Sequence, residues 1–195
     1  MFQNFDDDSS TNLVAPRVKA LRASLGKLKL DGLIVPREDE YQGEYVPAAN
    51  ERLKYISGFG GSAGMAIIMA RKAALFVDGR YILQAPKQTD TKLFAIVDIM
   101  QTAPSQWLAA TVKKGMEIGL DPRLHSETAV KAYRDRLAAK GARLVLLDEN
   151  PLDANWHDRP ELPDTPVVIQ PTRFAGRTSE QKRKALAAEM KQAGH

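Results

Sequence analysis

The chain has 195 residues, of which 44% are hydrophobic and 27% are charged, values typical of a globular protein that can bury a core. It contains no cysteine, which excludes disulfides, thiolate metal sites and a thiol nucleophile and fits a reducing cytoplasm. The formal net charge is only +4, and no apolar run is long enough to span a bilayer.

The first twelve residues, MFQNFDDDSSTN, are polar and acidic. They have neither the basic start nor the apolar stretch of a secretory signal. We interpret residues 1–12 as a flexible lead-in to a helix that has Pro16 in its first turn. Five apolar residues recur at helical spacing and predict the buried stripe of this helix: Val14, Val18, Leu21, Leu25 and Leu28.

Strand and helix patterns then alternate along the chain. Short apolar runs predict strands at 32–36, 63–69, 73–78, 93–99, 116–120 and 143–147. Helical patterns fall at 51–56, 80–88, 105–113 and 127–140. This interleaving predicts an α/β fold around one central sheet. The second and third strands form a hairpin, so the sheet is predicted to be mixed and not purely parallel.

The composition changes after residue 150. Residues 151–166 carry four prolines and few helix or strand signals, which indicates a linker. A short strand is predicted at 167–169 and an amphipathic helix at 178–192, with its buried side formed by Leu186, Ala187 and Met190. A lone helix of this kind has nothing to pack against. We therefore expect residues 167–195 to begin a second, truncated domain, after a first domain at 13–150.

The densest basic run is Lys182-Arg183-Lys184, which lies in the last predicted helix with Glu180 and Glu189 nearby. A solvated helix face explains this run better than a nucleic-acid patch. No aromatic residues interleave with the charges, so we expect no nucleic-acid partner.

The sequence offers little catalytic apparatus. Its three histidines, His125, His157 and His195, are far apart, and the pattern favours surface positions for them. Neither an HExxH nor a GxSxG motif is present. The glycine-rich stretch 58–64 lacks the Lys-Ser/Thr pair of a P-loop and precedes a strand, so phosphate binding does not follow. A nucleotide-binding α/β protein would rest on this stretch alone.

Two short units can carry function. Phe59 lies between Gly58 and Gly60, and glycines permit tight turns, so its ring is predicted to be displayed on a turn. The alternative is a phenylalanine of the core. Arg80 follows a predicted strand and could offer its planar fork to a carboxylate or a carbonyl. The alternative is an arginine paired with Asp78 or another local acid.

Three motifs carry a resemblance to a known family. Residues 57–64 (SGFGGSAG), 78–85 (DGRY, then QA) and 156–160 (WHDRP) closely resemble the N-terminal region of Xaa-Pro aminopeptidases. Their order and separations match the three-domain form of that family, and GLIVP at 32–36 fits as well. Each motif is weak alone, but together they are specific. The resemblance covers essentially the whole chain after residue 13.

The resemblance implies a three-layer α/β/α domain of the creatinase N-terminal type with a central mixed β-sheet. It implies a cytoplasmic hydrolase that removes the N-terminal residue preceding proline. The catalytic domain of such enzymes has a "pita-bread" fold and binds two divalent metals, usually manganese, through two Asp, one His and two Glu. None of these ligands can be placed on this sequence. We therefore expect no cofactor and no peptidase activity in this chain alone.

The role that remains is to help shape the substrate site and the assembly. The resemblance implies that Phe59 and Arg80 face substrate, with Asp78 and Tyr81 as support. The implied partners are the catalytic domain of the same protein, an Xaa-Pro peptide in the full-length enzyme and a second copy in a homodimer, with no nucleic acid and no membrane. The competing hypothesis is a non-catalytic creatinase-like module that binds other proteins.

Overall fold

The structure is a computed structural model that describes residues 11–195. The expected flexible lead-in therefore lies outside the described residues, except that Thr11 and Asn12 already belong to the first helix. The helices are α1 (Thr11–Lys27), α2 (Arg52–Ser57), α3 (Ala85–Gln88), α4 (Pro104–Thr111), α5 (Glu127–Ala138), α6 (Thr172–Ala175) and α7 (Ser179–Gln192). The strands are β1 (Gly32–Pro36), β2 (Met65–Met69), β3 (Ala73–Val77), β4 (Phe94–Asp98), β5 (Glu117–Leu120) and β6 (Arg143–Leu146).

The strands form one six-stranded sheet in the order β4-β3-β2-β1-β5-β6. Strand β2 is antiparallel to both of its neighbours, and the other pairs are parallel. The hairpin expected between β2 and β3 is confirmed, and it makes the sheet mixed. Because β2 alone runs against the rest, the carboxyl ends of the other strands meet at one edge of the sheet.

Apolar residues alternate between the two faces of the sheet, as the twofold repeat of a strand requires. On one face, Leu33, Ile68 and Leu75 pack with α1 and α2. On the other face, Ile67 and Phe76 pack with α4 and α5. Helices thus cover both faces, and the predicted three-layer α/β/α architecture is confirmed.

Two of the expected secondary-structure elements are wrong. The helix expected at 80–88 is formed only from Ala85 onward, because hydrogen-bonded turns occupy residues 79–84. The strand expected at 167–169 is absent. These three residues are between 79% and 98% exposed, and no described strand pairs with them. A short apolar run forms a strand only where a partner completes its hydrogen bonds.

The chain divides into a compact unit that ends at Leu162 and a second unit, Pro163–His195. In the second unit, α7 begins at a capping box in which Thr178 and Gln181 exchange hydrogen bonds. The side of α7 expected to be buried is exposed, with Leu186 at 57% and Met190 at 47%. Leu28, the last residue of the stripe predicted for α1, is also exposed, because α1 ends one residue earlier. Within residues 11–195, no helix has the length and apolar character needed to cross a membrane.

Candidate functional site

The loops that follow β1, β3 and β5 lie at the carboxyl edge of the sheet. The loop 57–64 ends there too, because the first residue of β2, Met65, pairs with the last residue of β1, Pro36. In α/β sheets this edge is where ligand-binding groups usually gather. Most of the residues singled out from the sequence therefore come together, although they are distant along the chain.

Asp78 and Arg80 form a tight ion pair directly after β3. Arg80 Nε donates to both carboxylate oxygens of Asp78, at 3.0 and 3.2 Å, and Nη2 donates to Oδ2 at 2.7 Å. The backbone N–H of Arg80 adds a fourth hydrogen bond at 2.9 Å. These hydrogen bonds lower the pKa of the Asp78 carboxyl and raise the pKa of the Arg80 guanidinium.

The pairing does not remove Arg80 from the surface. Its side chain is 64% exposed, and no residue of the described chain accepts a hydrogen bond from its Nη1. The alternative of an arginine paired with a local acid is thus the arrangement found. The Arg80 guanidinium is still fixed in place by Asp78 at the carboxyl edge of the sheet, and its Nη1 has no acceptor in the described chain.

Tyr81 joins the loop 57–64 to this pair. Its hydroxyl accepts the backbone N–H of Ser62 at 3.1 Å and lies 2.6 Å from Ser62 Oγ. The hydrogen bond with the Ser62 hydroxyl lowers the pKa of Tyr81. The guanidinium carbon of Arg80 lies 5.1 Å from the centre of the Tyr81 ring. Ser62 was not singled out from the sequence, although it lies within the first of the three motifs.

Phe59 is a core residue with 1% of its surface exposed, so the expectation of a displayed ring is wrong. Gly58 ends α2 in the left-handed conformation at φ 78° and turns the chain back on itself. The ring then occupies the space that a side chain on Gly61 would need. It meets the Tyr81 ring edge to face, with centroids 5.4 Å apart at 79°. Phe59 therefore packs against the Tyr81 ring from the core side.

The three histidines do not form a site. His157 and His195 are exposed, as expected, but His125 is partly buried. Its Nδ1 lies 2.9 Å from the carbonyl oxygen of Asp121, which can only accept, so Nδ1 carries the proton. Burial lowers the pKa of His125. Among residues 11–195, no group of three or more His, Asp or Glu side chains could hold a metal ion.

The segment that contains the third motif packs against α2. Arg52, only 5% exposed, donates from Nε and Nη2 to the Asp153 carboxylate at 2.7 and 2.8 Å. Arg159 reaches the same carboxylate at 3.0 Å. The Trp156 ring stacks on Tyr55, with centroids 4.4 Å apart. The first half of the segment interpreted as a linker is therefore packed on the α/β unit, and it is held there by Asp153 together with the motif residues Trp156 and Arg159.

The carboxylate of Asp121 belongs to the same edge, directly after β5, and is 1% exposed. Burial on its own would raise its pKa, but hydrogen bonds from Arg123 and Asn150 outweigh burial and lower it. Arg123 donates from Nε at 3.0 Å and from Nη2 at 2.9 Å, and Asn150 donates at 3.2 Å. Asn150 thereby ties the start of the packed segment to the end of β5.

A mixed six-stranded sheet covered on both faces, with this arrangement at its carboxyl edge, defines an α/β domain of the creatinase type. The model of the "Creatinase/Prolidase N-terminal domain" family matches residues 17–150. That is more than half of the chain, and the chain belongs to this family.

Relatives and solved structures agree with that assignment. The chain is 38% identical over 177 residues to a probable Xaa-Pro aminopeptidase P of Arthroderma otae, covering 89% of this chain and 28% of that protein. It is 39% identical over 182 residues to a probable Xaa-Pro aminopeptidase P of Verticillium alfalfae, covering 89% and 29%. The chain thus spans less than a third of the length of these relatives.

Among solved structures, the X-prolyl aminopeptidase of Caenorhabditis elegans superposes with a TM-score of 0.82 at 28% identity, over 93% of this chain and 31% of that one. It is described as a cytosolic enzyme with a di-nuclear active site. The N-terminal domain of the peptidase PepQ of Mycobacterium tuberculosis superposes with a TM-score of 0.55 at 24% identity, over 72% and 98%. The second likeness shows the fold alone.

Proposed function

We propose that this chain is the non-catalytic N-terminal domain of a cytoplasmic, metal-dependent Xaa-Pro aminopeptidase, a hydrolase that removes the N-terminal residue preceding proline. Two findings support the proposal. The chain is 38% identical to a protein named as a probable enzyme of this type, and it covers only 28% of that protein. The proposed partners are the catalytic domain of the same protein, the peptide substrate and a second copy of the protein.

The observation that carries the role in substrate binding is the held guanidinium of Arg80. Three side-chain hydrogen bonds to Asp78 fix its plane, while its Nη1 stays open on the surface. A guanidinium held in this way loses little side-chain entropy when it donates to a peptide carbonyl or carboxylate. Asp78 and Tyr81 would act by holding Arg80. Phe59 would act on substrate only through the Tyr81 ring.

The metal chemistry is assigned to the catalytic domain. Residues 11–195 offer no group of side chains that fits a metal ion, so no step of the hydrolysis is assigned to them. In the proposed enzyme, two divalent ions, usually manganese, would activate water and stabilise the reacting oxygens. This chain would supply a wall of the substrate site.

The test uses the full-length protein and an Xaa-Pro peptide. Arg80→Ala should lower kcat/KM about tenfold or more, the loss expected when a hydrogen bond to a charged group is removed. Arg80→Lys should restore little, because an ammonium cannot occupy both positions of the fork. Arg143→Ala is the matched control, since Arg143 is similarly exposed, at 71%, and also pairs with one acid, Glu117, at the other edge of the sheet.

Equal activity of the Arg80→Ala and Arg143→Ala enzymes would contradict the role of Arg80. It would leave the domain as a scaffold or as a module for protein contacts. Peptide cleavage by the pure 195-residue chain with added manganese would contradict the assignment of a non-catalytic domain.

A further inference from the structure

A concave surface lies at the amino edge of the sheet, opposite the candidate site. It is a cleft of about 410 Å³ between the turn that joins β2 to β3 and the connection that leads into β5. Its volume falls within the range of about 300–1,000 Å³ that is usual for small-molecule sites. The lining includes Asp31, Met69, Arg71, Lys72, Lys113 and Met116.

The cleft is rich in cations that lack partners. Arg71, Lys72 and Lys113 are exposed, and none of them forms an ion pair within residues 11–195. The one acid of the lining, Asp31, uses Oδ2 to accept the backbone N–H of Glu117 at 2.8 Å. Three cations against one acid leave the lining with an excess of positive charge, and none of the three is held in an ion pair within the described residues.

The positive charge of the cleft is part of a difference in charge between the two edges of the sheet. The connections at the amino edge are mainly basic and include Lys27, Lys29, Lys114 and Lys140 in addition to the lining residues. The connections at the carboxyl edge are mainly acidic and include Glu38, Asp39, Glu40, Glu44, Asp148 and Glu149. Clefts lined by one sign of charge concentrate ligands of the opposite sign. The amino edge is thus the side of this domain that attracts anions.

One wall of the cleft is apolar and sulfur-containing. Met69 is 5% exposed, and its Sδ lies over Gly32, in the space that a side chain there would fill. Met116 is partly buried, and its Sδ is the acceptor for the backbone N–H of Lys113 at 3.3 Å. A thioether is a weak hydrogen-bond acceptor. Methionine sulfur also makes favourable contacts with aromatic rings.

We propose that this cleft binds a small molecule that carries a phosphate group on an aromatic or apolar body. A phosphate brings close to two negative charges and several acceptor oxygens, which matches the group of Arg71, Lys72 and Lys113. The body of the ligand packs against Met69 and Met116. The site is at the opposite edge from Arg80, so this inference does not rest on the proposed peptidase role.

The test is calorimetric titration of the 195-residue chain at low salt with adenosine monophosphate, adenosine and inorganic phosphate. Adenosine monophosphate should saturate one site with a dissociation constant of about 1 mM or tighter. Phosphate should bind more weakly and compete with it, and adenosine should bind more weakly still. Lys72→Ala and Lys113→Ala should each weaken binding several-fold. Ala70→Trp should block the cleft while leaving every cation in place, since Ala70 is an exposed lining residue.

Lys87→Ala is the control, because it removes one exposed lysine from α3, outside the cleft. Thermal unfolding of each variant verifies that it is folded. Binding that weakens equally in Lys87→Ala and Lys72→Ala would show attraction by net charge alone and overturn the proposal. Unchanged affinity in Ala70→Trp would also overturn it. Preference for a peptide of glutamates over adenosine monophosphate would assign the cleft to an acidic protein partner instead.

Discussion

At the scale of single residues, Phe59 links the core to the candidate site. Its ring is 1% exposed and contacts the Tyr81 ring edge to face. Phe59→Ala should lower the free energy of unfolding by about 3–5 kcal/mol, because truncation removes buried apolar surface and leaves a cavity. Urea denaturation of the chain measures this. Phe174→Ala is the control: Phe174 is 66% exposed, and its truncation should change stability by about 0.5 kcal/mol or less.

The outcome also separates two roles for Phe59. A large loss of stability with unchanged kcat/KM in the full-length protein would make Phe59 a purely structural residue. A loss of kcat/KM greater than unfolding explains would show that its support of Tyr81 reaches the substrate. Equal, small stability losses for Phe59→Ala and Phe174→Ala would contradict the core position.

His125 should make stability depend on pH. Burial lowers its pKa below the ordinary value of about 6.5, so the folded state binds the proton less readily than the unfolded state. The contribution of His125 to the free energy of unfolding should therefore be fully present above about pH 6.5 and be lost as the pH falls through the pKa of the folded state. His125→Asn keeps a donor for the Asp121 carbonyl but does not titrate. Its stability should vary less between about pH 5 and 7.

Denaturation midpoints across that pH range test this expectation, with His157→Asn as the control because His157 is exposed. The Asp121 carboxyl, whose backbone carbonyl accepts from His125, titrates below this window because its pKa is lowered. A slope of stability against pH that is the same in His125→Asn and the unchanged chain would contradict the assignment.

At the scale of elements, the segment after β6 is held to the α/β unit by the Asp153 carboxylate, which Arg52 and Arg159 share. Asp153 accepts two hydrogen bonds from the buried Arg52 and pairs with Arg159. Asp153→Ala should destabilise the chain by about 3 kcal/mol, the lower end for breaking a buried pair, because the Asp153 side chain is itself 22% exposed. Asp158→Ala is the control in the same segment. Asp158 is 76% exposed and 4.0 Å from Arg17, so its loss should cost about 0–1 kcal/mol.

Unfolding measured by circular dichroism distinguishes the two variants. Limited proteolysis adds an independent reading, since release of this segment should expose cleavage sites after β6 only in Asp153→Ala. Equal stability of Asp153→Ala and Asp158→Ala would show that Arg52 finds another partner and that Asp153 is not the fastening.

The order of strands and helices was predictable because each apolar run or stripe is local. Strand β3, for example, is a continuous apolar run and is fully buried. The fastening after β6 was not predictable, because Arg52 and Asp153 are 101 residues apart and only the folded chain brings them together. The prolines of this segment predict a linker whether or not the segment packs against the folded domain. Local patterns likewise left open whether Phe59 is displayed or buried, since that depends on the left-handed turn at Gly58.

The contacts of the candidate site were likewise predictable only where the residues are close in sequence. The ion pair of Asp78 and Arg80 was open to prediction as an alternative, because the two residues are close in sequence. The hydrogen bond between Ser62 and Tyr81 joins two residues that are 19 positions apart, one from each motif. The resemblance pointed to both motifs but gave no contact between them. Their convergence required the β2–β3 hairpin, which brings both loops to one edge of the sheet.

At the scale of the whole molecule, the two compact units should differ in local stability. Strand β3 lies inside the sheet and is fully buried. Helix α7 has 14 residues and no buried side chain. An isolated helix of about 12–15 residues is marginal in water, and most helical stability in proteins comes from packing. We therefore expect the amides of β3 to exchange only through global unfolding, and those of α7 to exchange through local fraying.

Hydrogen–deuterium exchange of the dilute chain at neutral pH tests this expectation peptide by peptide. Peptides from α7 should exchange far sooner than peptides from β3, despite the capping box at Thr178. That box stabilises the first turn by only about 1 kcal/mol, which cannot replace a packed face. Addition of the proposed catalytic domain should slow exchange in α7 if the exposed apolar residues of this helix, including Leu186 and Met190, pack against it. Protection of α7 equal to that of β3 in the chain alone would mean that α7 is already packed, and would contradict a helix that awaits a partner.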